Sequence, residues 1–342
     1  MYDFLIVGAG LAGCTIAERL ASQSGAHVLV VDERDHIAGN TYDPIAESGN
    51  RIHKYGPHIF HTNSSHVVTY LSAFTAWRSY EHRVLARVRG RLVPIPINRT
   101  TLNSLYGLAL DEPGAARFLA ERAERRERIL NSEDAIVSKV GRELYELFFR
   151  GYTRKQWALD PTELDATVCG RIPTRTNDDD RYFTDAFQAM PADGFATMCA
   201  RMLDHPAIDV ATGTRFEAAA DAFRFNHLIY TGPIDQYYDR RFGPLPYRSL
   251  RFEFTTVSRE DGLPVGCVNE PSEEVPYTRT TDFGHLCGNA SATTVLCREF
   301  PQSTGDPYYP IPRPENRTLY DRYKKLAERE ANVTFVGRLA EY

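Results

Sequence analysis

Gly8-x-Gly10-x-x-Gly13 follows a short apolar run at residues 3–7 and opens a helical stretch, Cys14 to Ser22, with Ile16, Ala17 and Leu20 on one face. In such a turn the first glycine permits the tight bend, the second lets a pyrophosphate approach the backbone, and the third lets helix pack on strand. The helix N-terminus then presents its N–H groups and dipole to the phosphates. Asp32 closes the next β-branched run, His27 to Val31, where its carboxylate can accept hydrogen bonds from a ribose diol. The pattern predicts a βαβ unit with parallel strands, a right-handed crossover and a bound dinucleotide. His53, His58 and His61 are also close in sequence, but their spacing fits no standard zinc motif and no cysteine joins them, so no metal is expected.

Asp32 suits FAD and NAD alike. A second glycine-containing loop, Asp32 to Asn40 with Gly39, follows the acidic strand end, as in flavoproteins of the glutathione-reductase type, and favours FAD. Further along, residues 51–62 and 78–98 are rich in aromatic and β-branched side chains, and Arg87 to Val93 reads as a hairpin turning near Arg89-Gly90. Pro94 to Asn98 is extended by its prolines. From Thr101 to about Phe149 the pattern is helical, including an Ala/Glu/Arg-rich stretch from Ala115 to Leu130. Residues 158–181 are polar, with Pro161, Pro173 and the run Asn177 to Asp180, and read as a mobile loop. Strands return after residue 207: Leu228 to Gly232, alternating segments across 247–300, and a final strand Val333 to Gly337 after a charged helix at 316–330.

The predicted fold class is α/β: an FAD-binding Rossmann-like core with an inserted helical domain and an antiparallel β-sheet domain. The core comprises residues 1–75, 196–238 and 316–342, the helical domain 99–181 with a substrate loop near 158–181, and the sheet domain 76–98, 182–195 and 239–315. A length of 342 residues leaves room for about two domains. With 42% hydrophobic and 25% charged residues the chain is neither disordered nor fibrous, and no apolar run is long enough to span a bilayer. A net charge of −5 gives no electrostatic case for nucleic acid or an anionic membrane. Cys14, Cys169, Cys199, Cys267, Cys287 and Cys297 are scattered, with no C-x-x-C pair, which suits free thiols in a reducing cytoplasm.

Several longer segments carry a resemblance: Ile52 to Thr62, Gly151 to Trp157, Arg171 to Pro173, Tyr230 to Tyr237, Tyr247 to Leu250, Val275 to Arg279, and Gly337 to Tyr342. In this order and from end to end, the chain resembles the bacterial UDP-galactopyranose mutases. The resemblance implies an isomerase, an intramolecular transferase, that interconverts UDP-galactopyranose and UDP-galactofuranose with no net redox change. It also implies reduced FAD, whose N5 attacks the anomeric carbon with UDP as leaving group. NAD(P)H is one candidate external reductant, and the sequence does not decide the physiological one. The partners it implies are UDP-galactose and UDP-galactofuranose, further copies of the chain in a homo-oligomer (dimer or larger), and downstream galactofuranosyl transferases. Nucleic acid and membrane are not among them, and the setting is cytoplasmic supply of galactofuranose for the cell wall.

Residue by residue, the resemblance makes Arg171 and Arg279 the clamp on the diphosphate, where a planar, permanently charged fork matches phosphate oxygens. Tyr152 would stack on uracil and Trp157 would border the sugar. Tyr182 and Tyr309 would reach the phosphates, and Asn269 and Arg248 complete the substrate set with His82. His58 and His61 would lie by the flavin, donating hydrogen bonds or tuning its N5 environment, and His61 joins the two arginines as catalytic. Thr231, Gly232 and Arg338 would join Gly8, Gly10, Leu11, Gly13, Asp32, Gly39 and Asn40 around the cofactor. A flavin oxidoreductase shares the fold, so the paired arginines and the uracil tyrosine are what favour a mutase. A mutase for another nucleotide sugar is an alternative, and a flavin-free UDP-sugar-binding remnant is a third.

Two departures from the family stand out. His82 replaces a usual asparagine; it is larger, can carry charge near pH 7, and would either alter sugar preference or keep the same hydrogen-bonding role. The strand expected at Gly337 to Tyr342 continues in the family into a tyrosine, an aspartate and a closing helix, so the chain is expected to be shortened there.

Overall fold

The first strand, Tyr2–Val7, ends at Gly8, whose φ of +103° disfavours any side chain. A Cβ there would collide with Thr231 Oγ1, and one at Gly13 would collide with the Gly8 carbonyl oxygen. The Leu11–Ser24 helix can therefore lie directly on the strand that precedes it. Val28–Asp32 returns parallel to the first strand, with Phe4 opposite Val28 and Val7 opposite Val31.

The computed structural model describes residues 1–342. Its parallel sheet has five strands in the order Val333–Phe335, Phe225–Tyr230, Tyr2–Val7, Val28–Asp32 and Ile208–Thr212. The order reverses at Tyr2–Val7, so the crevice beyond Val7 and Tyr230 is the switch point where ligands of such sheets bind. On one face Ile6, Val28, Val30 and Ile229 pack against Cys14 and Ala17 of the first helix and Met198 and Met202 of the Phe195–Leu203 helix. On the other, Leu5, Leu29 and Leu228 meet Phe216 and Ala219.

Gly194 precedes Phe195–Leu203 and has no side chain to cap it. Asp43, buried and far away in sequence, supplies the missing acceptor: its carboxylate takes the N–H groups of Phe195 and Ala196, each at 2.8 Å. Burial raises the pKa of Asp43, and these two bonds and Arg51 work against that rise.

The second layer is a sheet of seven strands, ordered Tyr309–Pro310, Tyr247–Ser258, Thr293–Gln302, Arg279–Asp282, Cys267–Asn269, Val84–Val88 and Arg91–Ile95. It departs from the expected antiparallel pattern at one seam, where Cys267–Asn269 runs parallel to Val84–Val88. The hairpin from early in the chain joins there edge to edge, a pairing that no local alternation encodes. Its turn places Arg89 and Gly90 at φ of 50° and 73°, the left-handed pair that matches strand twist. A smaller sheet of Phe60–Thr62, Phe187–Pro191 and Trp77–Ser79 lies between the layers in sequence and is antiparallel throughout.

The helices Arg99–Tyr106, Glu112–Arg122 and Ser132–Tyr145 pack Leu102, Ile136, Val140 and Leu144 against Val84, Val93 and Ile95 of the hairpin. The helix expected to reach Leu130 stops at Arg122, because Ala123 is extended and the Glu124 N–H turns to the Val137 carbonyl. Charge pairs then hold the crossing, Glu124 with Arg126 and Arg142, and Arg126 with Asp134. A π-helical segment, Glu146–Arg150, leads into Gly151–Trp157.

The polar stretch 158–181 is only partly a loop. It contains the short helical turns Pro161–Glu163 and Thr167–Gly170. From Arg175 onward it is tied down: Arg99 pairs with Asp178 at 2.8 Å, Arg83 with Asp180 at 2.9 Å, and Arg175 donates to the Asp179 and Arg181 carbonyls. Gly337 to Tyr342 is likewise not a strand. Gly337 takes φ of 97° and its carbonyl accepts the Ala340 and Glu341 N–H groups, so Arg338–Glu341 closes as one helical turn.

Asp43→Ala should cost about 1–3 kcal/mol, the penalty of leaving the buried Phe195 N–H unpaired. The urea midpoint should fall with the slope of the transition unchanged.

Candidate active site

A cavity of about 1090 Å³ opens at the switch point. That exceeds the roughly 300–1,000 Å³ of ordinary small-molecule sites and suits a long ligand. Gly8, Gly10, Leu11, Asp32, Gly39, Asn40, His58, Thr231, Gly232 and Arg338 all line it. No side chain caps the Leu11–Ser24 helix and its first turn carries no acidic residue, so its N-terminus is left for an anion. Asp32 is held from both sides, Oδ2 accepting the Ala9 N–H at 2.8 Å and Oδ1 the Arg34 N–H at 2.9 Å, with lone pairs remaining for a diol. These features fit a dinucleotide. Gly13 does not line the cavity; it serves the helix-on-strand contact. Arg34, Arg215 and Arg240 also border the cavity and went unselected in the sequence, since nothing local marks one arginine among many.

A second group of residues meets this cavity at His58. Arg279 begins its strand with Asn269 opposite on one side and Glu299 on the other, a row across three strands. Its Nε donates to Glu299 Oε1 at 2.6 Å, and the Glu299 side chain is only 2% exposed. Burial is the largest influence and opposes the charge on Arg279, but Glu299, with Tyr152, Tyr309 and Cys267 adding, holds the pKa above the ordinary arginine value. With Nε fixed, the other two guanidinium nitrogens bond no protein acceptor. The charge of Arg279 is felt at Tyr152, Tyr182, His58 and His82, which places all four around it.

Trp157 ends the Gly151–Trp157 helix with its ring 6.2 Å from that of Tyr309, and Tyr309 lies opposite Arg248 in the sheet. Arg248 is buried with no carboxylate beside it, and burial lowers its pKa. It donates to the Gln156 carbonyl at 2.9 Å and to Ser303 Oγ at 2.7 Å, so it bridges backbone segments. Arg171 is exposed just after Thr167–Gly170, a turn held to the Ser132–Tyr145 helix by Lys139 Nζ on the Gly170 carbonyl at 3.2 Å and by the Cys169 N–H on Ser132 Oγ at 3.3 Å, and its charge reaches Tyr182.

The histidines separate by environment. Burial, with Arg338 and Arg279 adding, lowers His58 to about 4, so it is neutral at pH 7. Its Nδ1 lies 3.0 Å from the Gly56 carbonyl, which can only accept. The network therefore assigns the proton to Nδ1 and leaves Nε2 an acceptor, which of the two expected roles favours tuning over donation. His53 is fully buried and accepts the His58 N–H, a structural role. His61 does not line the dinucleotide cavity. It stacks on Phe183 at 3.7 Å and holds Asp185 2.8 Å from Nδ1. His82 is nearly fully buried, bonded to Tyr80 Oη at 3.0 Å, with the Tyr182 ring 5.8 Å away. Burial, then Arg279 and His61, lower it to about 3, so the charge near pH 7 that its residue type suggested is absent.

Glu299, Phe183 and Asp185 are the members that sequence reasoning missed. Each acts through a partner distant in the chain, and only strand register or ring stacking reveals it.

A family model described as UDP-galactopyranose mutase matches residues 147–342, and one described as NAD(P)-binding Rossmann-like domain matches residues 6–74. The chain is 36% identical over 355 residues to a dTDP-fucopyranose mutase of Escherichia coli, covering 100% of this chain and 93% of the relative. It is 38% identical over 351 residues to a "Probable UDP-galactopyranose mutase" of Klebsiella pneumoniae, covering 99% and 89%. The fold superposes on a crystal structure of reduced UDP-galactopyranose mutase with a TM-score of 0.79 at 17% identity, over 99% of this chain and 90% of the other. Matched by that family model over more than half its length and by such relatives from end to end, the chain belongs to the UDP-galactopyranose mutase family.

Proposed function

We propose that this protein interconverts UDP-galactopyranose and UDP-galactofuranose, with reduced FAD held in the switch-point cavity. The observation that carries the reading is Arg279, fixed at Nε by the buried Glu299 and near enough to Tyr152, Tyr182 and the cavity residue His58 for its charge to act on all three.

The Gly8–Gly13 turn would hold the FAD pyrophosphate, Asp32 its ribose, and His58 and Arg338 the flavin end. Bound and reduced, FAD would supply the nucleophile for the anomeric carbon of the sugar. The chain's own residues do the rest. Arg279 holds the diphosphate and bonds it more strongly as negative charge grows on the departing phosphate. Arg171 is exposed at the end of the Thr167–Gly170 turn and would close on the phosphates once substrate is bound. Tyr152 offers a flat face to uracil. His58 offers a lone pair at Nε2, and His61, held by Asp185, stands with Phe183 and His82 on the sugar side. NAD(P)H as reductant, a homo-oligomeric state and a cytoplasmic setting belong to the same reading. Free cysteines throughout and the lack of any helix long and apolar enough to cross a membrane support that setting.

Whole-chain similarity to a dTDP-fucopyranose mutase favours a second reading, in which the substrate is dTDP-fucopyranose. Purified protein, reduced with dithionite, should convert UDP-galactofuranose to UDP-galactopyranose by HPLC, with kcat/KM above that for the dTDP-fucose pair. The reverse ratio selects the second reading. No conversion of either sugar by flavin-loaded, reduced protein rejects both, and conversion without reductant rejects the role given to FAD.

Arg279→Ala and Arg171→Ala should each lower kcat by about 10²-fold or more, as loss of a prepositioned charge at the leaving group does. Glu299→Gln leaves the cation but frees its orientation, and should cost about tenfold in kcat/KM. A smaller effect than that of either arginine is the expected order.

His82 also sets an acid limb. Its folded pKa lies below that of the unfolded chain, so as pH falls below about 6.5 the unfolded chain binds a proton that the folded chain refuses. The contribution to stability is whole above that pH and is lost progressively on acidification toward 3. Between pH 7 and 4.5 the thermal midpoint of His82→Asn should fall less than that of the unsubstituted protein. Equal slopes would show that His82 is not held neutral.

A further inference from the structure

The Gly151–Trp157 helix carries Tyr152 and Trp157, while Asn269 and Arg279 lie on the two strands joined by the Pro271–Tyr277 connection. Nothing in sequence sets the spacing of these two groups. Two contacts do. Gly151 lies so close to the connection that a Cβ would collide with the Pro271 carbonyl oxygen. Four residues on, Lys155 Nζ donates to the carbonyls of Glu270, Val275 and Tyr277 at 2.5, 2.9 and 2.8 Å. An ammonium has three N–H donors, and all are used. The base of the connection is closed separately, by the Glu270 N–H on the Thr278 carbonyl and the Thr278 N–H on the Glu299 carbonyl. Lys155 thus holds the tip and one root of a turn whose other root is Arg279.

We propose that Lys155 is a positioning residue for nucleotide binding: its ammonium clamps the 270–277 connection to the Gly151–Trp157 helix and so fixes Tyr152 at a set distance from Arg279. The inference rests on reading Tyr152 and Arg279 as contacts to uracil and diphosphate. The clamp depends on the proton. Burial lowers Lys155 to about 8, against the pull of Glu270 and Glu273. Those two carboxylates face it from the connection, each also paired with an arginine, Arg87 and Arg154. Asp160 and Glu163 line the cleft that it borders. As pH rises through 8 the amine loses one donor and one carbonyl is left without a partner.

UDP titrated calorimetrically into full-length, flavin-loaded protein tests this. Lys155→Met should bind UDP about tenfold or more weakly. Its KM should rise while kcat at saturating substrate is held, whereas mere loss of folded protein would lower apparent kcat and leave KM alone. If Lys155→Met does not fold, Lys155→Arg decides, because its charge persists at every pH. UDP affinity of the unsubstituted protein should weaken from pH 7.5 to 9 by more than that of Lys155→Arg, which cancels the titration of UDP itself. UDP affinity unchanged in folded Lys155→Met, or identical pH dependence in the arginine variant, overturns the clamp alone. Unsubstituted protein that fails to bind UDP overturns the functional reading and the clamp with it.

Discussion

The Arg279–Glu299 pair is the constraint on which the site depends. A guanidinium buried to a quarter of its exposed area loses hydration, and a carboxylate that is 2% exposed loses nearly all of it. Neither is tolerable there without the other. Their opposition across adjacent strands is what makes the pair possible, and that in turn requires the long sheet to hold its register from Asn269 through Arg279 to Glu299. The bond at Nε also decides direction. It leaves the other edge of the guanidinium free of protein acceptors.

The two large sheets share one apolar cluster, in which Phe283, Val295 and Cys297 join Ile6 and Val30. The parallel sheet provides a crevice at its switch point, opened by glycines that let helix, strand and the Thr231 segment approach to backbone distance. The seven-stranded sheet provides the arginine. The helical layer brings Tyr152 and Trp157 down onto it through Gly151 and the three carbonyls around Lys155. The polar stretch that carries Arg171 is held on both sides of it, by Lys139 and Ser132 before and by arginines on the acidic residues after.

Burial also explains why the histidines do not behave alike. His58 and His82 are neutral because cations and low exposure disfavour their charged forms. His61, less buried, is held by a carboxylate. The same side chain is an acceptor beside the switch-point cavity, an uncharged neighbour of Tyr80 and Tyr182, and a hydrogen-bond partner of Asp185.

Sequence alone determined what depends on local backbone and periodicity. The Gly8–Gly13 turn, Asp32, the βαβ unit and the Arg89-Gly90 hairpin are contained in short stretches, because positive φ and the absence of a Cβ are properties of single positions. The long motifs around Tyr152, Arg171 and Arg279 identified the family for the same reason: they are contiguous. Other features were decided only by tertiary structure. The early hairpin joins Cys267–Asn269 in parallel, and the helix expected to reach Leu130 is cut at Arg122 by partners beyond its own turn. Glu299 orients Arg279, Asp185 holds His61, and Asp43 caps a helix more than a hundred residues away. His82 carried no sign in its neighbours of being neutral. In each case the energy lies in contacts between residues distant in the chain, where register and exclusion of water, not residue type, set charge and direction.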